Sequence, residues 1–235
     1  MKDFIDNYYS IVYRIVILSA ALTGILLYKR YKSTHIKYFI WFLVWVVVLE
    51  ILAYYPRLLI DLGKYDLVKE SLLKNNYWVY NFGWVLASTL FYPWFLRKKY
   101  KSKTLVKIIK YLQYGFIVLF FVTMFDDFTD FFTKTTSLPI VLANIIIILL
   151  STIFYLFEIL NSDKLLTFFK SIYFYVAAIC FVWWLVHTPL TFFQVYYNRA
   201  DPDFIVLRNF IKLIMNIIMY FGFTIALIVS KPEYD

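Results

Sequence analysis

The sequence predicts an all-α polytopic membrane protein with seven transmembrane helices, its N-terminus outside and its C-terminus cytoplasmic. Three observations carry this. Hydrophobic residues make up 63% of the 235 residues and charged ones 17%, where a soluble domain has roughly a quarter charged. The mean hydropathy is +0.70. The apolar residues also gather into runs of about 20, the length a helix needs to cross hydrocarbon.

Seven such runs read as one membrane domain over 1–235, at about 8–28, 38–56, 77–96, 105–125, 138–158, 171–192 and 207–229. The first lacks a basic leader and a small-x-small cleavage pattern, which predicts a retained span. Aromatic pairs flank several runs, as in Tyr8-Tyr9, Tyr54-Tyr55 and Tyr196-Tyr197, where amphipathic rings favour the interface. The connection 57–76 is long, and Tyr65, Val68 and Leu72 recur in it at i, i+3 and i+7. That spacing predicts a short helix lying on the outer surface, beside the plainer reading of a solvated loop.

Orientation follows from Lys and Arg in the short loops. Lys29, Arg30, Lys32 and Lys37 lie between spans 1 and 2. Arg97, Lys98, Lys99, Lys101, Lys103, Lys107 and Lys110 lie around the 3–4 connection. Lys164, Lys170 and Lys231 lie in the 5–6 loop and the tail. The opposite side has Lys134 beside Asp126, Asp127 and Asp130, and Arg199 with Asp201 and Asp203, although the 2–3 loop is basic. The net charge of +9 is then the charge of loops facing anionic lipid headgroups. Nucleic acid is excluded as a partner because no soluble domain carries the basic residues.

One cysteine, Cys180, allows no internal disulfide. Two histidines, His35 and His187, allow no three-histidine metal site. No phosphate-loop, zinc-protease, serine-hydrolase or dinucleotide motif occurs. The expectation is no metal, no cofactor and no catalytic constellation.

Apart from Lys107, Lys110 and Glu158 near cytoplasmic span ends, five ionisable residues sit within the runs, all in the outer half: Arg14, Glu50, His187, Arg208 and Lys212. A charge in hydrocarbon is costly and marks a protein interior or a water-filled cavity by default. Arg14 and Glu50 lie at similar depths on adjacent antiparallel spans, so an ion pair between them is expected, either functional or fixing register. On span 6, Cys180, Trp183, His187, Thr191 and Gln194 share a broad face, with Pro189 among them. On span 7, Asn209, Lys212, Asn216 and Tyr220 form a stripe flanked by Arg208. Arg14, Arg208 and Lys212 have a snorkelling alternative, and His187 a purely structural one. If these groups converge with Asn81 and Trp84 of span 3, three cations oppose one carboxylate. That net-positive pocket suits a small anionic ligand.

Asn81-Phe82, Trp84, Ser88 and Tyr92 match Asn209-Phe210, Lys212, Asn216 and Tyr220 in spacing. This arrangement resembles the small sugar and PQ-loop transporters of seven helices, although no Pro-Gln pair occurs. A second resemblance rests on Val48-Leu49-Glu50, Asn75-Asn76-Tyr77-Trp78-Val79-Tyr80-Asn81, Phe95-Leu96-Arg97-Lys98-Lys99 and Tyr155-Leu156-Phe157-Glu158. Through these the chain resembles uncharacterised small seven-span integral membrane proteins of Bacteroidota, some of them similar to seven-helix sensor input modules. The resemblance implies a seven-helix membrane protein and supplies no catalytic residues; the expected location is a bacterial inner membrane.

The leading expectation is a receptor-like protein with an outward-facing pocket, signalling through a separate cytoplasmic partner at the basic loops. A small solute transporter is the alternative, and a structural subunit of a membrane complex the third.

Overall fold

In a computed structural model, the described residues are 2–162, 168–196 and 202–233. In chain order the helices are α1 (Lys2–Leu26), α2 (Tyr28–Tyr31), α3 (Ile36–Ala53), α4 (Tyr55–Asp61), α5 (Tyr77–Tyr80), α6 (Ala87–Arg97), α7 (Lys103–Asp126), α8 (Phe128–Thr133), α9 (Leu138–Leu160), α10 (Ile172–Tyr196) and α11 (Pro202–Val229). A wide π turn, Asn81–Leu86, joins α5 to α6. The expectations for Lys164, Tyr197, Arg199 and Asp201 lie outside the described residues, as do those for the side chains of Gln194, Tyr196 and Asp203.

Six helical segments are long and apolar enough to cross a membrane: Tyr8–Leu26, Ile36–Asp61, Lys103–Asp126, Leu138–Leu160, Ile172–Phe192 and Phe204–Val229. This is a polytopic helical membrane protein. The remaining expected span, 77–96, is helical but is split by the π turn and is not among the six.

The chain divides into two compact units, one of Met1–Leu43 with Thr152–Asp235 and one of Val44–Ser151. Both boundaries fall inside helices, α3 and α9.

In the first unit, α1 and α10 each pack along α11. Close approach depends on small residues, as in many membrane interfaces. A Cβ on Gly222 would stand 2.8 Å from Ile179 Cδ1, and one on Gly24 3.0 Å from Ile40 Cγ2. Phe39 and Phe223 meet edge to face at 5.0 Å. Thr34 closes the turn before α3, since its hydroxyl accepts from Ile36 N at 3.3 Å and donates to Tyr31 O at 2.8 Å. The last turn of α11 has orphan carbonyls, as every helix C-terminus does. Arg30 donates to Ile228 O at 3.1 Å and to Ser230 O. The Tyr31 hydroxyl lies 2.8 Å from both Leu227 O and Ser230 O. A cation at that end also suits the helix dipole.

In the second unit, helix ends are set by local chemistry. Ser102 caps α7 through Leu105 N at 3.4 Å, and Asp127 caps α8 through Asp130 N at 3.1 Å, each side-chain oxygen taking an orphan donor. Gly63, at φ +65°, closes α4, a conformation glycine adopts without strain. Of the two readings of the 57–76 connection, the short surface helix through Tyr65, Val68 and Leu72 is absent. Two single 3₁₀ turns, Tyr65–Leu67 and Leu72–Lys74, occupy its place. Gly63 stops α4 before it, and the Ser71 hydroxyl accepts from Leu73 N at 3.1 Å, starting a fresh turn where the helix would have continued.

The π turn brings α3 against Gly83. A Cβ there would stand 2.1 Å from Leu49 Cδ2, and Trp45 Nε1 donates to Gly83 O at 2.9 Å. Phe82, Phe120 and Phe131 form a ring cluster, with centroids 5.2 to 5.5 Å apart. It extends into a core with Phe116, Met124, Ile140 and Ile147.

Candidate functional site

The residues singled out by the sequence divide between the units. Arg14, Trp183, His187, Arg208, Asn209, Lys212, Asn216 and Tyr220 belong to the first. Glu50, Asn81 and Trp84 belong to the second.

In the first unit, the stripes of α10 and α11 meet. Trp183 and His187 lie one turn apart on α10 with their rings stacked, 3.6 Å between centroids and 12° between planes. Trp183 Nε1 donates to Asn216 Oδ1 of α11 at 3.0 Å. His187 Nδ1 lies 3.2 Å from Trp183 O. A carbonyl only accepts, so Nδ1 carries the hydrogen in this contact, and a neutral ring then presents Nε2 as an acceptor. Pro189 takes away the amide hydrogen that would have bonded Leu185 O. Nearby hydroxyls bond backward along the helix, Thr188 to Trp184 O at 2.6 Å and Thr191 to His187 O at 3.0 Å. The Trp184 indole N–H is buried without a partner among the described residues.

On α11, Arg208 and Lys212 are separated by one turn. Side chains at i and i+4 lie about 5–6 Å apart at Cβ. Arg208 Nη2 reaches Asn209 Oδ1 at 3.4 Å, while its Nε is buried with no partner among the described residues. Lys212 is half-buried. It feels the charge of Arg208, and its own charge acts on His187, which is itself buried. No hydrogen bond or ion pair holds its ammonium among the described residues. Tyr220 is 2% exposed, its ring 6.3 Å from that of Tyr13 on α1. The two cations of α11 thus lie near the stacked Trp183–His187 pair, which is itself buried. Arg14 is exposed on α1 and not enclosed with them.

In the second unit Glu50 is half-buried. Asn81 is 1% exposed, and its amide is engaged at both ends: Nδ2 donates to Phe131 O at 2.7 Å, and Oδ1 accepts from Thr136. Asn75 Nδ2 donates to Thr133 O at 3.1 Å and Asn76 Nδ2 to Ala53 O at 2.7 Å. These three asparagines, part of the motif carrying the second resemblance, tie the start of the 77–97 helix to α8 and to the end of α3. Trp84 packs against Leu49, Ala53 and Val79. Arg57 pairs with Asp61 at 3.3 Å.

Sequence reasoning passed over Gln113 and Asn144, both buried. Pro93 cannot donate to Thr89 O, its i−4 partner. Gln113 Nε2 does so instead, at 3.0 Å, and also reaches Leu90 O at 2.8 Å. Arg97 Nη1 holds Gln113 Oε1 at 2.6 Å. Asn144 bonds the Thr89 hydroxyl and lies 3.4 Å from Ser88 Oγ. The signal was present as an amide in each of two apolar runs and a proline in a third.

A cavity of about 230 Å³ lies beside α8, lined by Asn81, Thr123, Asp127, Phe131, Thr135 and Ser137 among others. Asp130 at its edge pairs with Lys134 and holds that ammonium above the usual lysine range. Asp126 and Asp127 are exposed, as a solvated rim would be. Among the described residues no three His, Cys, Asp or Glu side chains are placed to share a metal ion.

No protein-family model, no curated protein and no solved structure matches this chain.

Proposed function

We propose that the chain is a receptor-like, seven-helix integral membrane protein of a bacterial inner membrane that binds a small anion through Lys212 and Arg208. One observation carries the reading. Lys212 is half-buried in an apolar helix, one turn from a second cation, with no partner for its ammonium among the described residues. Two like charges so placed repel, and a cation in hydrocarbon is costly. An anionic group lying between them would relieve both costs. The buried Arg208 Nε supplies a second donor, and the Trp183–His187 wall supplies a stacking face.

The seventh crossing in this reading is the helix of residues 77–97. Twenty-one residues at 1.5 Å each span about 32 Å, enough for the hydrocarbon core. Its polar side chains Asn81, Ser88 and Thr89 are buried and bonded rather than lipid-facing, as polar groups at membrane depth need to be. The excess of lysine around residues 97–110 supports a cytoplasmic position for that end. It also offers a separate signalling partner a basic surface.

The test is thermal unfolding of purified protein in neutral detergent with acetate, citrate, phosphate or sulfate. At least one should raise Tm saturably, and Lys212→Met should abolish the shift. No shift with any anion sinks the reading. A transporter is the second reading, favoured by buried polar side chains within three helices of the second unit: Thr89, Gln113 and Asn144. Liposomes that accumulate the same anion only when loaded with protein would favour it over a receptor.

A further inference from the structure

The outward face of α7 is unusual in its order of side chains. Lys103, Lys107, Lys110, Tyr114, Val118, Phe121 and Phe125 recur at steps of four, three, four, four, three and four, and all seven are exposed. That spacing keeps them on one stripe of the helix. Three lysines occupy one end of the stripe. No ion pair engages them among the described residues. Lys110 lies over the ring of Tyr114, 5.7 Å from its centroid. Across the preceding loop, Lys98 lies 5.4 Å from the ring centroid of Trp94. Each pair puts an ammonium above an aromatic ring, the arrangement favoured at headgroup level.

Below the lysines the face is notched. Gly115 is exposed, and a Cβ added there would meet nothing within 4 Å. Exposed Tyr111, Tyr114 and Val118 surround it. Further along the same face lies an open cavity of about 650 Å³, lined by Ile117, Val118, Phe121, Val122 and Phe125, with Asp126 at its end. Val118 lies eight residues, about 12 Å, along the axis from Lys110. That is within the roughly 15 Å hydrocarbon thickness of one leaflet.

We infer that α7 is a docking lane for an anionic phospholipid, with the phosphate among Lys103, Lys107 and Lys110 and an acyl chain in the Gly115 notch. Charge complementarity selects the occupant. A zwitterionic headgroup would leave three lysines uncompensated, and an acidic soluble partner would make no use of the notch. The assignment is independent of the Lys212 patch.

The experiment uses full-length protein, delipidated in detergent and titrated with dioleoyl-phosphatidylglycerol or dioleoyl-phosphatidylcholine, with bound lipid read by native mass spectrometry. Phosphatidylglycerol should be retained at least ten-fold better. Each Lys→Gln change at 103, 107 or 110 should lower that preference by about five-fold, leaving phosphatidylcholine retention unchanged. Gly115→Leu should reduce retention of both lipids together without altering the preference. These sites are exposed, and leucine is the better helix former, so unchanged Tm in lipid-free detergent will show that each variant is folded. The assignment is overturned if the triple lysine variant keeps its preference, or if Gly115→Leu changes neither lipid. It is also overturned if Gly115→Leu instead dissolves a dimer seen in the same spectra, or if glycerophosphoglycerol alone competes as well as the lipid.

Discussion

The Trp183 indole donates to the Asn216 amide oxygen across the α10–α11 crossing while its face lies flat on His187. One side chain thus joins the two helices and orients the histidine. Trp183→Phe keeps a ring for the stack and leaves Asn216 Oδ1 without its donor. A loss of about 1 kcal/mol is expected. Asn216→Leu should cost a similar amount, and the double variant less than the sum. Chemical unfolding of the three variants in detergent measures the coupling.

Lys212→Met should leave the ligand-free protein as stable or more stable, since it removes one of two like charges a turn apart. Lys212→Glu should stabilise further by pairing with Arg208. A drop in ligand-free Tm for Lys212→Met would mean that the lysine is already paired.

Gln113→Leu should destabilise by roughly 2–4 kcal/mol, because it leaves Thr89 O, Leu90 O and Arg97 without their partner. Pro93→Ala returns a backbone donor to Thr89 O. Combining the two should therefore cost less than Gln113→Leu alone. Denaturant unfolding of the pair decides it, and simple additivity would count against the account.

Gly83→Ala should cost about 1–3 kcal/mol by overpacking, since the new methyl would overlap the Leu49 side chain. Leu49→Ala in the same background should recover part of that loss. A neutral Gly83→Ala would mean that α3 and the π turn separate easily.

Arg30→Gln with Tyr31→Phe should fray the end of α11, because Leu227, Ile228 and Ser230 lose their carbonyl partners. Faster amide exchange at 227–231, with the middle of α11 unchanged, is the expected readout.

Apolar runs of about 20 residues made the six helices of membrane-crossing length legible, because length and hydropathy are local properties. The helix of residues 77–97 was harder to classify. Its burial rests on side chains that bond other helices, and its π turn leaves no mark in composition. The 57–76 connection shows how a short period misleads: Tyr65, Val68 and Leu72 satisfy a helical spacing, yet Tyr65 and Leu72 sit in two separate 3₁₀ turns and Val68 lies between them. The stripes on two neighbouring helices named Trp183 and Asn216, but not the hydrogen bond between them. The exposure of Arg14 did not, because a residue's rotation toward lipid or protein depends on neighbours distant in sequence. Gln113 and Asn144 were visible as amides, but their partners are carbonyls and hydroxyls of another helix. Only the missing donor to Thr89 O at Pro93 could have been read in advance.

The asparagines at 75 and 81 have consequences for biosynthesis. Their acceptors, Thr133 O and Phe131 O, lie 58 and 50 residues downstream. The ribosome delivers them only after α7 has been made. A nascent chain ending near residue 110 would offer the bilayer a helix with an unsatisfied amide at Asn81, which hydrocarbon rejects. Lateral release of this segment from the translocon should therefore wait for α8. Helical membrane proteins are usually pictured as inserting one span at a time. Here the third hydrophobic segment is expected to commit late, together with the hairpin that follows it, and Asn81→Leu should let it go early.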